Sequence, residues 1–403
     1  MATTHYLILG AGPAGLTFSH RLLERGVSDF LVVEKEDEAG GLCRSAEVDG
    51  APLDVGGGHF IDVRRPAVTE FLFRFMPEGE WNRFERKSRI HVRGQWIDSP
   101  IEANVWQLDK ATQRRYLADI AAAGCNAGRP MPASFVEWIA WKLGRAIAED
   151  YMLPYNRKMF GDDLDALGTY WLEKLPNVSY EDTLRSCRER RPFGSQPGHA
   201  SFLYPKRQGS GELWRRMGEA LGPRLRTGAE AVSLDVTSRT AVFADGTAIR
   251  AETVVNTVPW PAFGTVSGLS PESAAAIASL RHTGIHVDYH AEPFDSDAHW
   301  IYEPDPALPE HRYLLRGNFL PGAKGFWTET RIGRSRPATG PRFEMPWAYP
   351  LNTVGKNEAM AGLLAECAGC RVFGLGRWGE WQHYNSDVVV EKALALADAI
   401  ARG

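Results

Sequence analysis

Three glycines near the start of the chain have the spacing of a turn that binds a pyrophosphate. Gly10, Gly12 and Gly15 lie between an apolar run at 6–9 and a helical pattern at 16–23. The first glycine permits a tight turn, the second lets a phosphate approach the backbone, and the third lets the helix pack closely on the strand. The free N–H groups at the start of such a helix attract an anion. The pattern therefore predicts a strand–turn–helix unit that binds a dinucleotide.

Glu34 is a carboxylate at the position expected for a contact with the adenosine ribose. Glu34 closes a second apolar run at 30–33, and an acidic residue about twenty residues after the glycines accepts hydrogen bonds from the adenosine ribose in sites of this type. FAD and NAD both use this unit, so other residues must distinguish them.

Two further glycine clusters favour FAD. Gly40 and Gly41 precede Arg44 in a stretch that resembles the second glycine motif of flavoproteins of the glutathione-reductase-2 type. In those proteins a Gly-Gly pair and an Arg pass close to the pyrophosphate and the ribityl chain. Three consecutive glycines at 56–58, followed by His59, allow the backbone to approach a flat ring system. The sequence therefore predicts FAD.

The bulk composition narrows the class of protein. The chain has 403 residues, with 46 Lys+Arg against 50 Asp+Glu, so no general basic field for nucleic acid or an anionic membrane is expected. No apolar stretch approaches the ~18 residues of a membrane span. Five scattered cysteines and the absence of a leader pattern predict reduced thiols and a cytoplasmic location. The Cys367–Cys370 pair stands alone, so no metal site is expected.

The remaining pattern predicts an α/β protein with three parts. Residues 104–190 lack β-branched alternation and indicate helices, whereas strand patterns return from 231 onward. We expect a Rossmann-like FAD-binding domain of the glutathione-reductase-2 type, formed discontinuously by 1–75, 198–265 and 366–403. A mainly helical domain at 76–197 and an inserted antiparallel β-sheet domain at 266–365 are expected to supply the substrate side.

Several patches of the chain resemble the UDP-galactopyranose mutase family. The more specific pair comprises 154–161, similar to a helical-domain motif whose aromatic residues contact uridine, and 376–387, similar to the family's C-terminal motif. The triglycine loop (Gly56–Gly58) with His59 resembles the family's mobile segment beside the flavin. Residues 311–321 resemble the β-domain stretch whose Arg holds the nucleotide diphosphate.

The resemblance implies a set of site residues. Catalytic roles fall to His59, Arg312 and Arg377. FAD contacts are expected from Gly10, Gly12, Pro13, Ala14, Gly15, Glu34, Lys35, Gly41, Leu42, Arg44, Gly57, Gly58, His59, Val232, Gly376, Arg377, Ser386, Asp387 and Val388. Substrate contacts are expected from Tyr155, Phe160, Lys174, Arg312, Asn318, Tyr349, Trp381, His383 and Tyr384.

Departures from the family motifs bear on the substrate. Val178 stands at or near the position of a second diphosphate-binding arginine, and Phe160 replaces a stacking Trp. Trp381 and His383 replace tyrosines that touch the diphosphate in the family. A diphosphate that lacks its second Arg loses charge-assisted hydrogen bonds of roughly 1.5–3 kcal/mol each. A different sugar nucleotide, or another sugar-like molecule, therefore stays open as the substrate.

The resemblance implies an FAD-dependent nucleotide-sugar mutase that interconverts pyranose and furanose forms through an adduct between flavin N5 and the sugar, with FAD reduced. The substrate would be UDP-, GDP- or dTDP-linked. NADPH or NADH is left open as the reductant, and a homodimer is left open as the assembly.

Two other functions compete with this one. An FAD-dependent oxidase or dehydrogenase, similar to amine oxidases or protoporphyrinogen oxidases, would act on a natural-product intermediate, and thirteen tryptophans suit an apolar substrate equally well. A non-enzymatic FAD-containing scaffold would bind flavin without any ligand-dependent spectral change.

Overall fold

A computed structural model describes residues 1–169, 172, 178–193 and 200–401. The strands are β1 (Ala2–Leu9), β2 (Phe30–Val33), β3 (Ser45–Val48), β4 (Ala51–Asp54), β5 (Ile61–Asp62), β6 (Trp81–Glu85), β7 (Ser88–Val92), β8 (Gln95–Asp98), β9 (Ser201–Pro205), β10 (Leu225–Arg226), β11 (Ala231–Asp235), β12 (Thr240–Phe243), β13 (Ala248–Asn256), β14 (Thr265–Ser267), β15 (His282–His290), β16 (Trp300–Tyr302), β17 (Arg312–Leu314), β18 (Phe326–Arg331), β19 (Arg342–Pro350) and β20 (Val372–Gly374).

The α-helices are α1 (Pro13–Glu24), α2 (Pro66–Phe73), α3 (Ile101–Asn104), α4 (Lys110–Ala122), α5 (Phe135–Leu143), α6 (Arg145–Ile147), α7 (Leu153–Phe160), α8 (Tyr180–Glu189), α9 (Gly211–Leu221), α10 (Pro271–Ser279), α11 (Lys356–Gly369), α12 (Gly376–Gly379) and α13 (Ser386–Ile400). A π-helical turn at Ala148–Met152 joins α6 to α7.

An eight-stranded sheet carries the predicted dinucleotide unit. Its strands run in the order β10-β2-β1-β13-β12-β11-β14, and β20 also pairs with β13. β1 lies parallel to both β2 and β13, so strands from the beginning, middle and end of the chain meet in one sheet. Tyr6 and Ile8 pack toward α1 and α13, whereas Leu7 and Leu9 pack toward the opposite face. Burial on both faces explains the uninterrupted apolar run at 6–9.

A second, seven-stranded sheet has the order β19-β15-β18-β17-β16-β7-β8. Its pairs are antiparallel except for β16 and β7, which run parallel. One apolar core joins this sheet to α4, α5 and α7, with Tyr116, Phe135 and Tyr155 among its members. The helical segment and this sheet therefore face each other beside the first sheet, as an α/β protein with inserted substrate elements requires.

The predicted fold class is confirmed: an α/β protein with a Rossmann-like unit and several sheets. Strand β20 is followed directly by the one-turn helix α12. The predicted boundary at 197/198 lies outside the described residues. In the described ranges no helix is long and apolar enough to cross a bilayer.

Candidate active site

The glycine turn between β1 and α1 has contacts that only glycine permits. Gly10 has a φ of +97°, and a Cβ atom there would lie 2.4 Å from the Thr257 hydroxyl oxygen. A Cβ atom on Gly15 would lie 2.0 Å from the Gly10 carbonyl oxygen, so α1 packs directly on the turn. Gly12 is the N-cap of α1 and no side chain caps the helix. The first N–H groups of α1 are therefore available to an anion.

Glu34 lies at the end of β2 and is held by the backbone. Its Oε2 accepts a hydrogen bond of 2.8 Å from the Ala11 N–H, and its Oε1 accepts one of 3.1 Å from the Glu36 N–H. Burial raises the pKa of Glu34, and these two hydrogen bonds act in the opposite direction. Each carboxylate oxygen can accept a second bond, which leaves capacity for a ribose hydroxyl.

Two adjoining cavities lie at this site, and the larger one, of about 760 Å³, opens in front of this turn. The predicted FAD contacts that line it are Gly10, Gly12, Pro13, Ala14, Glu34, Lys35, Gly41, Leu42, Arg44, His59, Arg377 and Ser386. Residues 257–259, 261–262 and, from β19, 342–347 also line it. The sequence analysis did not predict this part of the lining, because β19 reaches it only through the docking of the second sheet on the first.

Two predicted FAD contacts lie behind the wall of the larger cavity. Gly15 is in the contact between α1 and the turn, and a Cβ atom on Gly376 would lie 2.8 Å from the Ala14 Cβ. Both glycines therefore let other elements approach α1 closely and do not line the cavity themselves.

Three more predicted FAD contacts also lie outside this wall. The Val232 carbonyl accepts a hydrogen bond of 2.9 Å from the Gly264 N–H. The buried Asp387 forms an ion pair with Arg65. Val389 lines the cavity and Val388, the predicted contact, does not.

A smaller cavity of about 400 Å³ adjoins the larger one. His59, Arg377 and Ser386 line both cavities. Predicted site residues that line the smaller cavity also include Gly58, Tyr155, Arg312, Tyr349 and His383. Further wall residues, which the sequence analysis missed, are Arg86, Ser99, Tyr151, Asn156, Trp300 and Tyr302.

His59 is a neutral imidazole between the two cavities. Burial, and next the nearby charge of Arg377, lowers its pKa to about 3. Its Nε2 is buried and has no hydrogen-bond partner among the described residues. The ring is therefore uncharged at pH 7 and can exchange a hydrogen bond with a bound molecule.

Arg377 is a partly buried cation held by carbonyl groups. Its Nε and Nη2 donate to the Tyr384 carbonyl oxygen at 3.2 and 2.8 Å, and its Nη1 donates to the Ala348 carbonyl oxygen at 3.1 Å. Burial lowers its pKa, but an arginine stays protonated in proteins. No carboxylate of the described residues lies within 4.0 Å of its guanidinium. A buried charge is normally paired, so this position favours an anionic or electron-rich ligand.

Comparison with known proteins finds a matching family model and a similar solved structure. Residues 8–75 match the family model of the NAD(P)-binding Rossmann-like domain. The crystal structure of reduced UDP-galactopyranose mutase superimposes with a TM-score of 0.89 over 98% of this chain and 95% of that chain, at 23% sequence identity. The chain has a UDP-galactopyranose mutase-like flavoprotein fold.

Two curated relatives match shorter parts of this mutase-like chain. A 104-residue stretch is 46% identical to "Uncharacterized protein in nifH2 3'region" of Methanothermococcus thermolithotrophicus, covering 25% of the chain and 95% of that protein. The chain belongs to the same family as that protein. Another stretch of 137 residues is 27% identical to coproporphyrinogen III oxidase of Mycobacterium leprae, but it spans only 32% of the chain and 30% of that enzyme. Together the matches support an FAD-dependent enzyme.

Arg312 is paired with a carboxylate that was not among the predicted site residues. Arg312 on β17 and Glu329 on β18 are direct cross-strand neighbours. Glu329 Oε2 accepts hydrogen bonds from Arg312 Nη2 at 2.5 Å and Nε at 3.0 Å, and from the Tyr349 hydroxyl at 3.3 Å. Burial acts to raise the pKa of Glu329, but Arg312 and His311 outweigh it and the pKa falls to about 2. Arg312 therefore faces the smaller cavity as half of an ion pair.

The remaining predicted substrate residues do not line the smaller cavity. Phe160 lies behind Tyr349 with ring centroids 6.3 Å apart. The Asn318 amide donates to the Ser296 and Ala298 carbonyl oxygens at 2.7 and 2.6 Å. Both side chains are engaged with the protein itself, so the structure does not place them against a substrate.

Trp381 and Tyr384 also lie outside the wall of the smaller cavity. Trp381 is 0% exposed and packs in the core on the far face of the first sheet, because its neighbours Trp347 and Trp378 enclose it. Tyr384 lines the larger cavity. Lys174 lies outside the described residues. Among those that are described, no group of three or more His, Cys, Asp or Glu side chains is placed to hold a metal ion.

Proposed function

We propose that the chain is an FAD-dependent isomerase that interconverts the pyranose and furanose forms of a sugar nucleotide. The observation that supports this most directly is the shared boundary of the two cavities at His59, Arg377 and Ser386. A sugar in the smaller cavity would meet the reactive ring of a cofactor in the larger one. The mutase-like fold supports the same proposal.

The larger cavity fits FAD. The N–H groups at the start of α1 would hold the pyrophosphate, and Glu34 would hold the adenosine ribose. A Cβ atom on Gly41 would lie 3.2 Å from the Gly12 Cα, so the two glycine motifs form a cradle that side chains would fill. When bound and reduced, FAD supplies a nucleophilic nitrogen that can displace a nucleotide from a sugar.

The chain's own residues would bind and orient the substrate. Tyr155 and Tyr302 meet edge to face with centroids 5.5 Å apart, which makes an aromatic wall suited to a sugar or a base. Arg312 Nη1 has no hydrogen-bond partner among the described residues, and this N–H group can donate to the departing phosphate. These groups would position the reacting atoms and exclude water.

Oxidation of an electron-rich substrate is the second candidate. Glu329 neutralises Arg312. A less anionic substrate would suit this cleft, and the match to coproporphyrinogen III oxidase supports an oxidase or dehydrogenase that acts on a natural-product intermediate or an amine.

The stoichiometry of turnover separates the two candidates. The purified protein is loaded with FAD, reduced once under nitrogen, and incubated with UDP-, GDP- and dTDP-linked sugars, with products followed by NMR. The isomerase would make many furanose products for each reduction and consume no acceptor. Oxygen or acceptor consumption in step with substrate loss would contradict the isomerase and favour the oxidase. A protein that binds no FAD would contradict both.

A further inference from the structure

Glu329 contacts two separate parts of the wall of the smaller cavity. Its Oε2 binds Arg312 and Tyr349, which line the smaller cavity. Its Oε1 accepts a hydrogen bond of 3.2 Å from the Gly58 N–H, in the triglycine loop that leads into His59. Glu329 itself is 0% exposed and lines neither cavity. One buried carboxylate thus joins the substrate-side arginine to the loop that carries His59.

The triglycine loop is built to approach this carboxylate. A Cβ atom on Gly57 would lie 2.5 Å from Glu329 Oε1, and Gly57 has a φ of +92°. Any other residue at this position would be strained and would push the carboxylate away. The contact between loop and carboxylate is therefore a requirement of the backbone path and not a chance approach of two flexible groups.

The ion pair between Arg312 and Glu329 must therefore affect how strongly the triglycine loop is held. No hydrogen bond among the described residues links Arg312 to 56–59, so the hydrogen-bonded route between them runs through Glu329. The charge of Arg312 also acts directly on His59 and lowers its pKa. A buried carboxylate that loses its counter-ion takes up a proton. Its bond to the Gly58 N–H then loses the charge assistance that makes such bonds about twice as strong as neutral ones.

We propose that Glu329 is a positioning residue that couples occupancy of the smaller cavity to the triglycine loop, and through His59 to the cofactor. An anion that draws Arg312 away from Glu329 weakens the hold on Gly58, so that the loop and His59 can move toward the bound flavin. The part that concerns the flavin rests on the proposed binding of FAD. The coupling between Arg312 and Gly58 does not.

A double-mutant cycle read by hydrogen exchange tests the coupling without any substrate. Peptides that cover 55–60 are followed by mass spectrometry in the FAD-loaded wild type, Arg312→Met, Glu329→Gln and the double variant. We expect Arg312→Met and Glu329→Gln each to raise exchange at Gly58 about tenfold. In the Glu329→Gln background, Arg312→Met should have no further effect.

Arg89→Met is the matched control, because Arg89 pairs with Asp297 at 2.8 Å in the same sheet but outside both cavities. It should leave exchange at 55–60 unchanged. Unchanged exchange in Arg312→Met, or equal effects of Arg312→Met with and without Glu329, would overturn the proposal. If Arg312→Met does not fold, Arg312→Lys serves in its place, with an expected increase of about threefold, and no increase would overturn the proposal equally.

The exchange result is independent of turnover. An uncoupled loop in a protein that isomerises sugars would reject only the role of Glu329. A coupled loop in a protein without isomerase activity would reject only the proposed function.

Discussion

Replacing Glu329 with Gln should destabilise the protein, and the structure gives the size of the effect. Glu329 is fully buried and its pKa falls from an ordinary 4.5 to about 2, because Arg312 and His311 outweigh the effect of burial. A depression of this size corresponds to roughly 3 kcal/mol of folding free energy at pH 7. Glutamine keeps the shape but leaves Arg312, whose side chain is 24% exposed, without a counter-ion, and breaking a buried pair costs up to about 3–5 kcal/mol.

The pH dependence follows from the direction of the shift. A carboxylate with a depressed pKa stabilises the fold above its unfolded pKa of 4.5 and loses that contribution as the pH falls toward 2. The stability difference between wild type and Glu329→Gln should therefore be constant from pH 7 to about pH 5 and shrink below about pH 4.5.

Urea unfolding followed by tryptophan fluorescence, at fixed FAD concentration, measures this difference. Glu292→Gln is the control, because the Glu292 side chain is 65% exposed, and surface substitutions of this kind stay within about 0.5 kcal/mol. A loss below about 1 kcal/mol at pH 7, or a difference that does not change with pH, would refute the assignment of Glu329 as the ionised partner of Arg312.

Three further substitutions test the rest of the site. Gly15→Ala should abolish FAD binding, measured by flavin absorbance after gel filtration, since the new methyl group meets the Gly10 carbonyl oxygen at 2.0 Å; Gly362→Ala, which meets nothing within 4 Å, should bind FAD normally. Glu34→Ala should weaken FAD binding at least tenfold in a fluorescence titration, because the ribose loses an acceptor and a buried N–H loses its partner at 2.8 Å; unchanged affinity would place the ribose elsewhere. Arg377→Met should shift the flavin reduction potential downward, since a partly buried cation at the boundary of the cavities favours the more negative reduced flavin, and an unchanged potential would remove Arg377 from the flavin environment.

The strand–turn–helix unit on the cofactor side could be predicted because its signals are local. The glycines at 10, 12 and 15 do their work within one turn, and Glu34 lies one strand away, so spacing alone identifies them. The predicted contacts and the lining of the cavity differ where packing against a neighbouring element decides the position of a residue. Gly376 and Val232 are close in sequence to residues that line the cavity but do not line it themselves. Gly376 packs on Ala14, and the Val232 carbonyl accepts a hydrogen bond from the Gly264 N–H.

The substrate side was harder to predict because it depends on contacts between distant strands. Glu329 lies in Thr328-Glu329-Thr330, a strand pattern that usually indicates a solvent-facing acid. It is buried only because β17 places Arg312 opposite it and the triglycine loop covers it. The apolar pair at Phe326 and Trp327 was the one available signal that this strand is central. Trp381 was predicted to contact the substrate because it lies in a family motif. An aromatic residue in such a motif can equally pack in a core, as Trp381 does.

The residues that line the larger cavity come from distant parts of the chain, and this affects how the protein folds during synthesis. Its lining runs from Leu9 to Val389, and β1 cannot complete its pairing until β13 exists, as Leu9 aligns with Asn256. A ribosome adding about 5–20 residues per second leaves the first strand and helix without these partners for tens of seconds. Cofactor capture must therefore be one of the last events in maturation, and a nascent chain arrested before α13 would expose the apolar faces of β1 and α1 to chaperones while remaining colourless.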